Sequence, residues 1–209
     1  LSLDIEVASE NGFPDPNQAE EEVLAITVKN YTTKKIMVWG IYDYNNTRDD
    51  VDYVHCEDEE ELLREFVSFM ESVQPDVITG WNTTFFDIPY LCLRIKKLFG
   101  NKFMQTLSPW KVVTEEHTST FGRDVTRYNI WGVANLDYLD LYKKFTYTDQ
   151  ESFTLDNIAF VELGTKKDPN PYDTFKEWYT KDYQSFIDYN IKDVELVDAL
   201  ENHLGMIQL

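Results

Sequence analysis

Leu1-Ser2-Leu3-Asp4-Ile5-Glu6-Val7 is the stretch on which the reading of this chain turns. Successive side chains of a strand point to opposite faces, so Leu1, Leu3, Ile5 and Val7 share one side and Ser2, Asp4 and Glu6 the other. The run is predicted to be a strand. Its two carboxylates leave one face about 7 Å apart at the backbone, close enough to converge on one cation. A lone D-x-E pair is more often the ordinary solvent face of an edge strand, so it points to chemistry only in company.

Working outward, Asn11 to Glu22 contains Gly12, Pro14 and Pro16 and reads as an exposed loop. The apolar runs Val23 to Val28 and Ile36 to Tyr42 flank the polar Thr32-Thr33-Lys34-Lys35 and predict an antiparallel hairpin. The acidic block Glu57 to Glu61 opens a helix carrying Leu62, Leu63, Phe66, Val67, Met70 and Val73; carboxylates suit a solvated first helical turn, and Pro75 ends the helix. Val77-Ile78-Thr79 predicts a short buried strand, and Asp87-Ile88-Pro89 starts a helix to Phe99-Gly100. Trp110 to Ile130 reads as a projecting hairpin with Gly122 in its polar centre, followed by a strand over Ala134 to Leu139. Thr154 suits the N-cap of a helix to Leu163, and a long helix runs from about Lys181 to Leu204. Strands first and helices interleaved later predict an α/β fold, a mixed sheet with helices on its faces. No repeat, low-complexity tract or linker divides the chain, so one domain is expected.

The chain has 209 residues, with 19 Lys plus Arg against 38 Asp plus Glu, a net charge of −19. Its 43% apolar and 15% aromatic residues are enough for a sizeable core, which excludes disorder despite the charge. The acidity excludes a free-standing protein that grips nucleic acid through a basic surface, since Lys and Arg supply most affinity for phosphate backbones. A metal site, or a domain whose basic partner lies elsewhere in a longer chain, remains open. Leu1 stands inside an alternating apolar run without an initiator Met, so a segment of a larger protein is expected. No stretch approaches the roughly 18 apolar residues of a membrane span. Two cysteines, Cys56 and Cys92, suit a reducing compartment and leave no room for a disulfide framework or a cysteine-built zinc site.

Two further places supply company for Asp4 and Glu6. Asp87 ends Asn82-Thr83-Thr84-Phe85-Phe86-Asp87, where a helix N-cap before Pro89 is the plain alternative. Tyr189 and Asp193 stand one turn apart on the stripe Phe186, Tyr189, Asp193, Val197, Leu200 and Leu204. A carboxylate on that apolar face would be costly to bury, and a bound cation explains it better than solvent does. These acids form a set of hard oxygen donors with no histidine or thiolate, suited to Mg²⁺ or Mn²⁺ rather than zinc. Two such ions can activate a water and stabilise the leaving oxygen in phosphodiester hydrolysis.

The order D-I-E at 4–6, N-x-x-x-F-D at 82–87 and Y-x-x-x-D at 189–193 resembles the three motifs of the DEDDy 3′→5′ proofreading nucleases, which have a ribonuclease H-like fold. Asp4 to Gln18, Gly80 to Tyr90 and Leu136 to Phe145 further resemble the exonuclease domain of family B DNA polymerases of the T-even-like bacteriophage type. That resemblance implies a ribonuclease H-like mixed β-sheet flanked by helices, with residues 1–209 forming a single 3′→5′ exonuclease domain of a longer polymerase chain. It implies that Asp4, Glu6, Asp87 and Asp193 bind two Mg²⁺ (or Mn²⁺) ions and that Tyr189 orients the attacking water. The related histidine subgroup would place its histidine at Asp188, so the tyrosine assignment is the one implied.

By the same resemblance Asn82 and Phe86 touch the terminal nucleotides and Phe13 stacks on a base. Thr154 and Leu155 open a strand-binding S/T-L-x-x-h motif, and a catalytic lysine would fall at Lys166 or Lys167. The hairpin, with Phe121, Gly122 and Arg123 near its tip, would help separate a mismatched primer from its template. The implied partners are a single-stranded DNA 3′ end and the polymerase domains of the same chain, in a monomer with no membrane, in the cytoplasm of a bacterial host. Each contact has a plain counterpart: Phe13 folded back on the core, Thr154 a cap, Leu155 core, the hairpin a bare surface feature. Two other functions stay in view, an exoribonuclease of the same superfamily and a non-catalytic docking domain. The second has no reason to keep Asp193 on an apolar face.

Overall fold

The computed structural model describes residues 1–9, 12–120, 123–147, 149–165 and 170–207, without the side chains of Ser119, Thr120, Arg123 and Asp124. Its strands are β1 (Ser2–Val7), β2 (Val23–Lys29), β3 (Ile36–Gly40), β4 (Val51–His55), β5 (Val77–Gly80), β6 (Val113–Thr120), β7 (Arg123–Ile130) and β8 (Ala134–Asp137). Its helices are α1 (Glu59–Val73), α2 (Asp87–Phe99), the short α3 (Asn101–Met104), α4 (Tyr138–Phe145), α5 (Leu155–Leu163), α6 (Phe175–Lys181) and α7 (Tyr183–Leu204).

Six strands form one sheet in the order β4-β3-β2-β1-β5-β8, and β6 and β7 pair as a separate hairpin. β2 is antiparallel to both β1 and β3, while β3–β4, β1–β5 and β5–β8 are parallel, so β2 alone runs against the rest. This is the mixed α/β sheet that the pattern of runs predicts. β1 lies in the interior of the sheet, not at its edge, which removes the edge-strand explanation of Asp4 and Glu6. The register sets Asp4 opposite Thr27 and Glu6 opposite Ala25, and an irregularity after Glu6 brings Val7 opposite Val23.

The apolar face of β1 packs into the first of three cores. Leu3, Ile5 and Val7 join Leu62, Phe66, Met70, Ile88 and Leu91 in a core beneath α1 and α2. A second core packs Leu24, Ala25 and Val38 against Trp178, Phe186 and Ile187 of α6 and α7. A third gathers Tyr138, Tyr142, Leu155 and Ile158 around Val197 and Leu200, fixing α4 and α5 to the far half of α7. Each buried aliphatic or aromatic side chain contributes roughly 1.5–3 kcal/mol.

Several local features differ from the sequence reading, among them α4, which begins at Tyr138 inside the strand expected over Ala134 to Leu139 because the Asp137 side chain ends β8 and caps the helix. β4 has only Val51 buried, so its apolar pattern is too faint to mark an edge strand. α6 is seven residues long, capped by Thr174, and lacks a repeating stripe. Within the acidic block expected to be solvated, Glu60 and Glu61 are exposed but Glu59 is buried. Its carboxylate accepts from Val23 N–H at 2.8 Å and from Arg94 Nε and Nη2 at 2.8 and 2.7 Å. The neighbouring helix supplies a fork that makes burial of that charge tolerable.

Candidate active site

Asp4 and Glu6 leave β1 on the α7 side of the sheet. Asp4 is half-buried and Glu6 is buried. Asn190 of α7 donates from Nδ2 to Asp4 Oδ2 at 2.6 Å, and its own amide oxygen accepts from the Thr27 hydroxyl, which stands opposite Asp4 in the sheet. Asp4 is thereby aimed by a residue 186 positions away.

Asp87 is the first residue of α2, with Phe86 at the N-cap. The plain capping role therefore does not explain Asp87; its Oδ1 accepts from Ile5 N–H at 3.1 Å, joining α2 to the strand that carries Asp4 and Glu6. Gly80 makes this approach possible, because a Cβ there would collide with the carbonyl oxygen of Leu3. Burial, reinforced by the negative charges of Asp137 and Asp193, pushes the Asp87 carboxyl up to about 8 from its ordinary 3.8.

From α7, Asp193 is buried and Tyr189 half-buried, its ring edge-on to Trp178 at 4.9 Å. Asp188 points elsewhere and accepts from the Tyr44 hydroxyl at 2.7 Å. Asp4, Glu6, Asp87, Tyr189 and Asp193 all line one open cleft of about 540 Å³. Phe13, Asn82, Phe86, Thr154 and Leu155 line it too, so three distant motifs and the proposed strand contacts meet in one place.

Among the described residues no three His, Cys, Asp or Glu side chains are already drawn tightly around one point. The donor set nonetheless fits a hard divalent cation: the acids offer oxygen alone, and Asp87 holds its proton against neighbouring negative charge, a burden that a cation relieves.

The residues expected to contact a strand take definite forms. Phe13 is 85% exposed, so it is not folded into the core, and its ring lies 5.3 Å from that of Phe86. Asn82 has a positive φ of 68°, in the left-handed region that asparagine tolerates better than most residues. Leu155 is buried at the cleft wall, and Thr154 caps α5 by accepting from Asn157 N–H. Thr154→Ala is expected to lower stability by about 1 kcal/mol, and Thr154→Ser to restore it, as read by thermal melting. Phe121, Gly122, Lys166 and Lys167 lie outside the described residues, and of Arg123 the backbone alone is described, at the start of β7.

Two residues escaped the sequence reading. Asn190 lies between Tyr189 and Asp193 but off the apolar stripe, so periodicity passes over it. Asp137 ends β8 and is buried, accepting from Asn82 N–H and Leu139 N–H at 3.0 Å each and from Thr84 N–H at 2.9 Å. It anchors the loop that presents Asn82 and Phe86. An aspartate closing a strand just before a helix is the signal that could have found it.

Residues 1–158 match the family described as DNA polymerase family B, exonuclease domain. Over its whole length the chain is 33% identical to the DNA-directed DNA polymerase of Escherichia phage RB69 and 34% identical to that of Enterobacteria phage T4, covering 26% of each. Over 80% of its length it is 30% identical to the DNA polymerase delta catalytic subunit of Candida albicans, covering 17% of that protein. The chain thus spans about a quarter of the two phage relatives. With an interior β1 carrying two acids, a third acid at the start of α2 and a fourth on α7, all facing one cleft, the chain belongs to the exonuclease domains of family B DNA polymerases.

Proposed function

We propose that this domain removes nucleotides from the 3′ end of single-stranded or mismatched DNA, as the proofreading unit of a replicative DNA polymerase. The observation that carries this reading is the shared cleft, in which four acids and a tyrosine stand beside the exposed Phe13 ring and the half-buried Phe86 and Asn82. Enzymes of this exonuclease family generally depend on divalent metal ions. In this reading Asp4, Glu6, Asp87 and Asp193 hold two such ions, Mg²⁺ or Mn²⁺, which supply charge stabilisation and an activated water when bound.

The rest falls to the chain itself. Asn190 fixes the Asp4 carboxylate, and Ile5 N–H fixes Asp87. Tyr189, steadied by Trp178, orients the attacking water with its hydroxyl. Phe13 and Phe86 offer ring faces on which unpaired bases stack regardless of sequence, while Asn82, Thr154 and Leu155 set the strand's path. The β6–β7 hairpin keeps the template strand away, and Phe121 and Arg123 are among the residues that contact DNA. Residues 1–209 act as one domain and as a monomer beside the polymerase domains of the parent chain, in the cytoplasm of a bacterial host. No helix among the described residues is long and apolar enough to cross a membrane.

The test is degradation of 3′-labelled single-stranded DNA, mismatched duplex, blunt duplex and single-stranded RNA, each with Mg²⁺, Mn²⁺ or chelator. Metal-dependent release of mononucleotides is expected, fastest from single-stranded DNA and slowest from blunt duplex. Equal rates on DNA and RNA would point to an exoribonuclease, and no cleavage with either metal would defeat the reading. Phe86→Ala should reduce use of single strands by about tenfold, since stacking on an aromatic is worth roughly 1–3 kcal/mol per base. A titration of rate against strand concentration reads that loss directly.

A further inference from the structure

Beyond its base, where Val113, Tyr128 and Ile130 join the core and Glu115 pairs with Lys96, the hairpin touches the nuclease body at two adjacent residues of β7, each reaching a loop that supplies one wall of the cleft. Thr126 N–H donates to Asn17 Oδ1 at 3.1 Å. The Arg127 guanidinium lies 4.7 Å from the centre of the Phe85 ring, and its Nε is buried with no hydrogen-bond partner among the described residues, so the cation rests on the ring face.

Asn17 and Phe13 share a loop, and Phe85 is the neighbour of Phe86. Asn17 is itself held, donating from its amide N–H and Nδ2 to Asp15 Oδ1 at 2.9 and 3.1 Å. The stem of that loop is pinned to one face of α2, where Tyr90 Oη donates to the Glu21 carbonyl at 2.7 Å, Arg94 Nη1 donates to the Glu20 carbonyl at 2.8 Å, and Lys97 donates to the Gln18 carbonyl. The circuit closes where the Phe13 and Phe86 rings meet at 5.3 Å.

We propose that Arg127 and Asn17 are positioning residues that lock the β6–β7 hairpin to the two loops presenting Phe13 and Phe86, so that opening a duplex end and capturing the freed strand are a single coupled operation. The inference rests on the exonuclease reading above. A strand already single needs no hairpin, so loss of the lock should be felt only at paired or mismatched ends.

Arg127→Leu and Asn17→Ala, neither placed in the metal site or the strand-binding groups, are compared with the parent chain on single-stranded DNA and on a duplex with one mismatched 3′ nucleotide. For single strands kcat and KM should stay within about twofold, while excision from the duplex falls roughly fivefold, the size expected for a partly buried cation–aromatic contact. Arg127→Lys, which keeps the cation, should recover most of the duplex rate. Hydrogen exchange gives a readout independent of activity: in Arg127→Leu the amides of both 113–130 and 13–22 should exchange faster. Faster exchange confined to the hairpin with an unchanged duplex to single-strand rate ratio overturns the proposal, as does an equal loss on both substrates that tracks the melting temperature. If the parent chain cleaves neither substrate, the exonuclease reading falls and the exchange experiment alone decides the coupling.

Discussion

Replacing Asp4 and Glu6 together by alanine is expected to lower hydrolysis of single-stranded DNA by at least about a thousandfold, equivalent to ~4 kcal/mol of transition-state stabilisation. Both acids leave the same face of β1 into the cleft, and among the described residues no histidine or thiolate lines it to replace them. Asp87→Ala and Asp193→Ala should each fall almost as far, whereas Tyr189→Phe keeps the acids and should reduce kcat while leaving metal binding intact. A thermal melt separates these outcomes from misfolding: each alanine variant should still unfold in one cooperative transition in chelator, with Asp87→Ala below the parent because it leaves the Ile5 N–H unpaired. Parental cleavage by the double variant would overturn the whole site assignment.

Divalent ions should stabilise the domain, and by more at high pH than at low pH. In the folded chain the Asp87 carboxyl titrates at about 8, against an ordinary 3.8. The folded state therefore keeps a proton that the unfolded state has lost, so without metal this group's contribution to stability declines as pH rises from about 4 towards 8. A bound cation replaces that proton, and its stabilisation is largest where the proton has gone. At about 100 times the dissociation constant the gain is ~2.7 kcal/mol, or roughly 5–10 °C in Tm for a chain of this size. At pH 8.5 Mg²⁺ or Mn²⁺ should give that full increment, and at pH 5.5, where protons compete for Asp87, less than half of it. An increment that does not change with pH would remove Asp87 from the ligand set, and calorimetry without binding at millimolar metal would count against a two-ion site.

Much of the sheet and the long helix was legible because their physics is periodic. The alternation of Leu1 to Val7, the runs in β2 and β3, and the stripe of α7 each encode a buried face by spacing alone. Asp193 could be singled out because an apolar helix face gives a carboxylate little comfort, whereas Asp4, Glu6 and Asp87 each had a plain local explanation and stood out only in company, through the order of the three motifs. What spacing could not supply was the set of polar contacts that bring distant segments together. Glu59 looked like any acid in a first helical turn until α2 brought Arg94 beside it. Asn190 carries no periodic signal, yet it connects Asp4 and Thr27. Asp137 is defined by three backbone donors that no composition reveals. β4 and α6 were missed for a simpler reason, being short and only partly buried.

The contribution of α7 carries a consequence for how the enzyme comes into being. Tyr189, Asn190 and Asp193 stand near one end of the chain and Asp4 and Glu6 near the other, with 186 positions between Asp4 and the asparagine that aims it. A ribosome adds residues from the N-terminus at roughly 5–20 per second, so the first acids emerge many seconds before their counterparts. Contacts so remote in sequence also form late in folding, after loop closure has been achieved. On the proposed site assignment, a nascent chain that has displayed β1 to α5 exposes half a site, unable to cleave the nucleic acid that surrounds its own synthesis. Competence to cut then arrives only once α7 has docked.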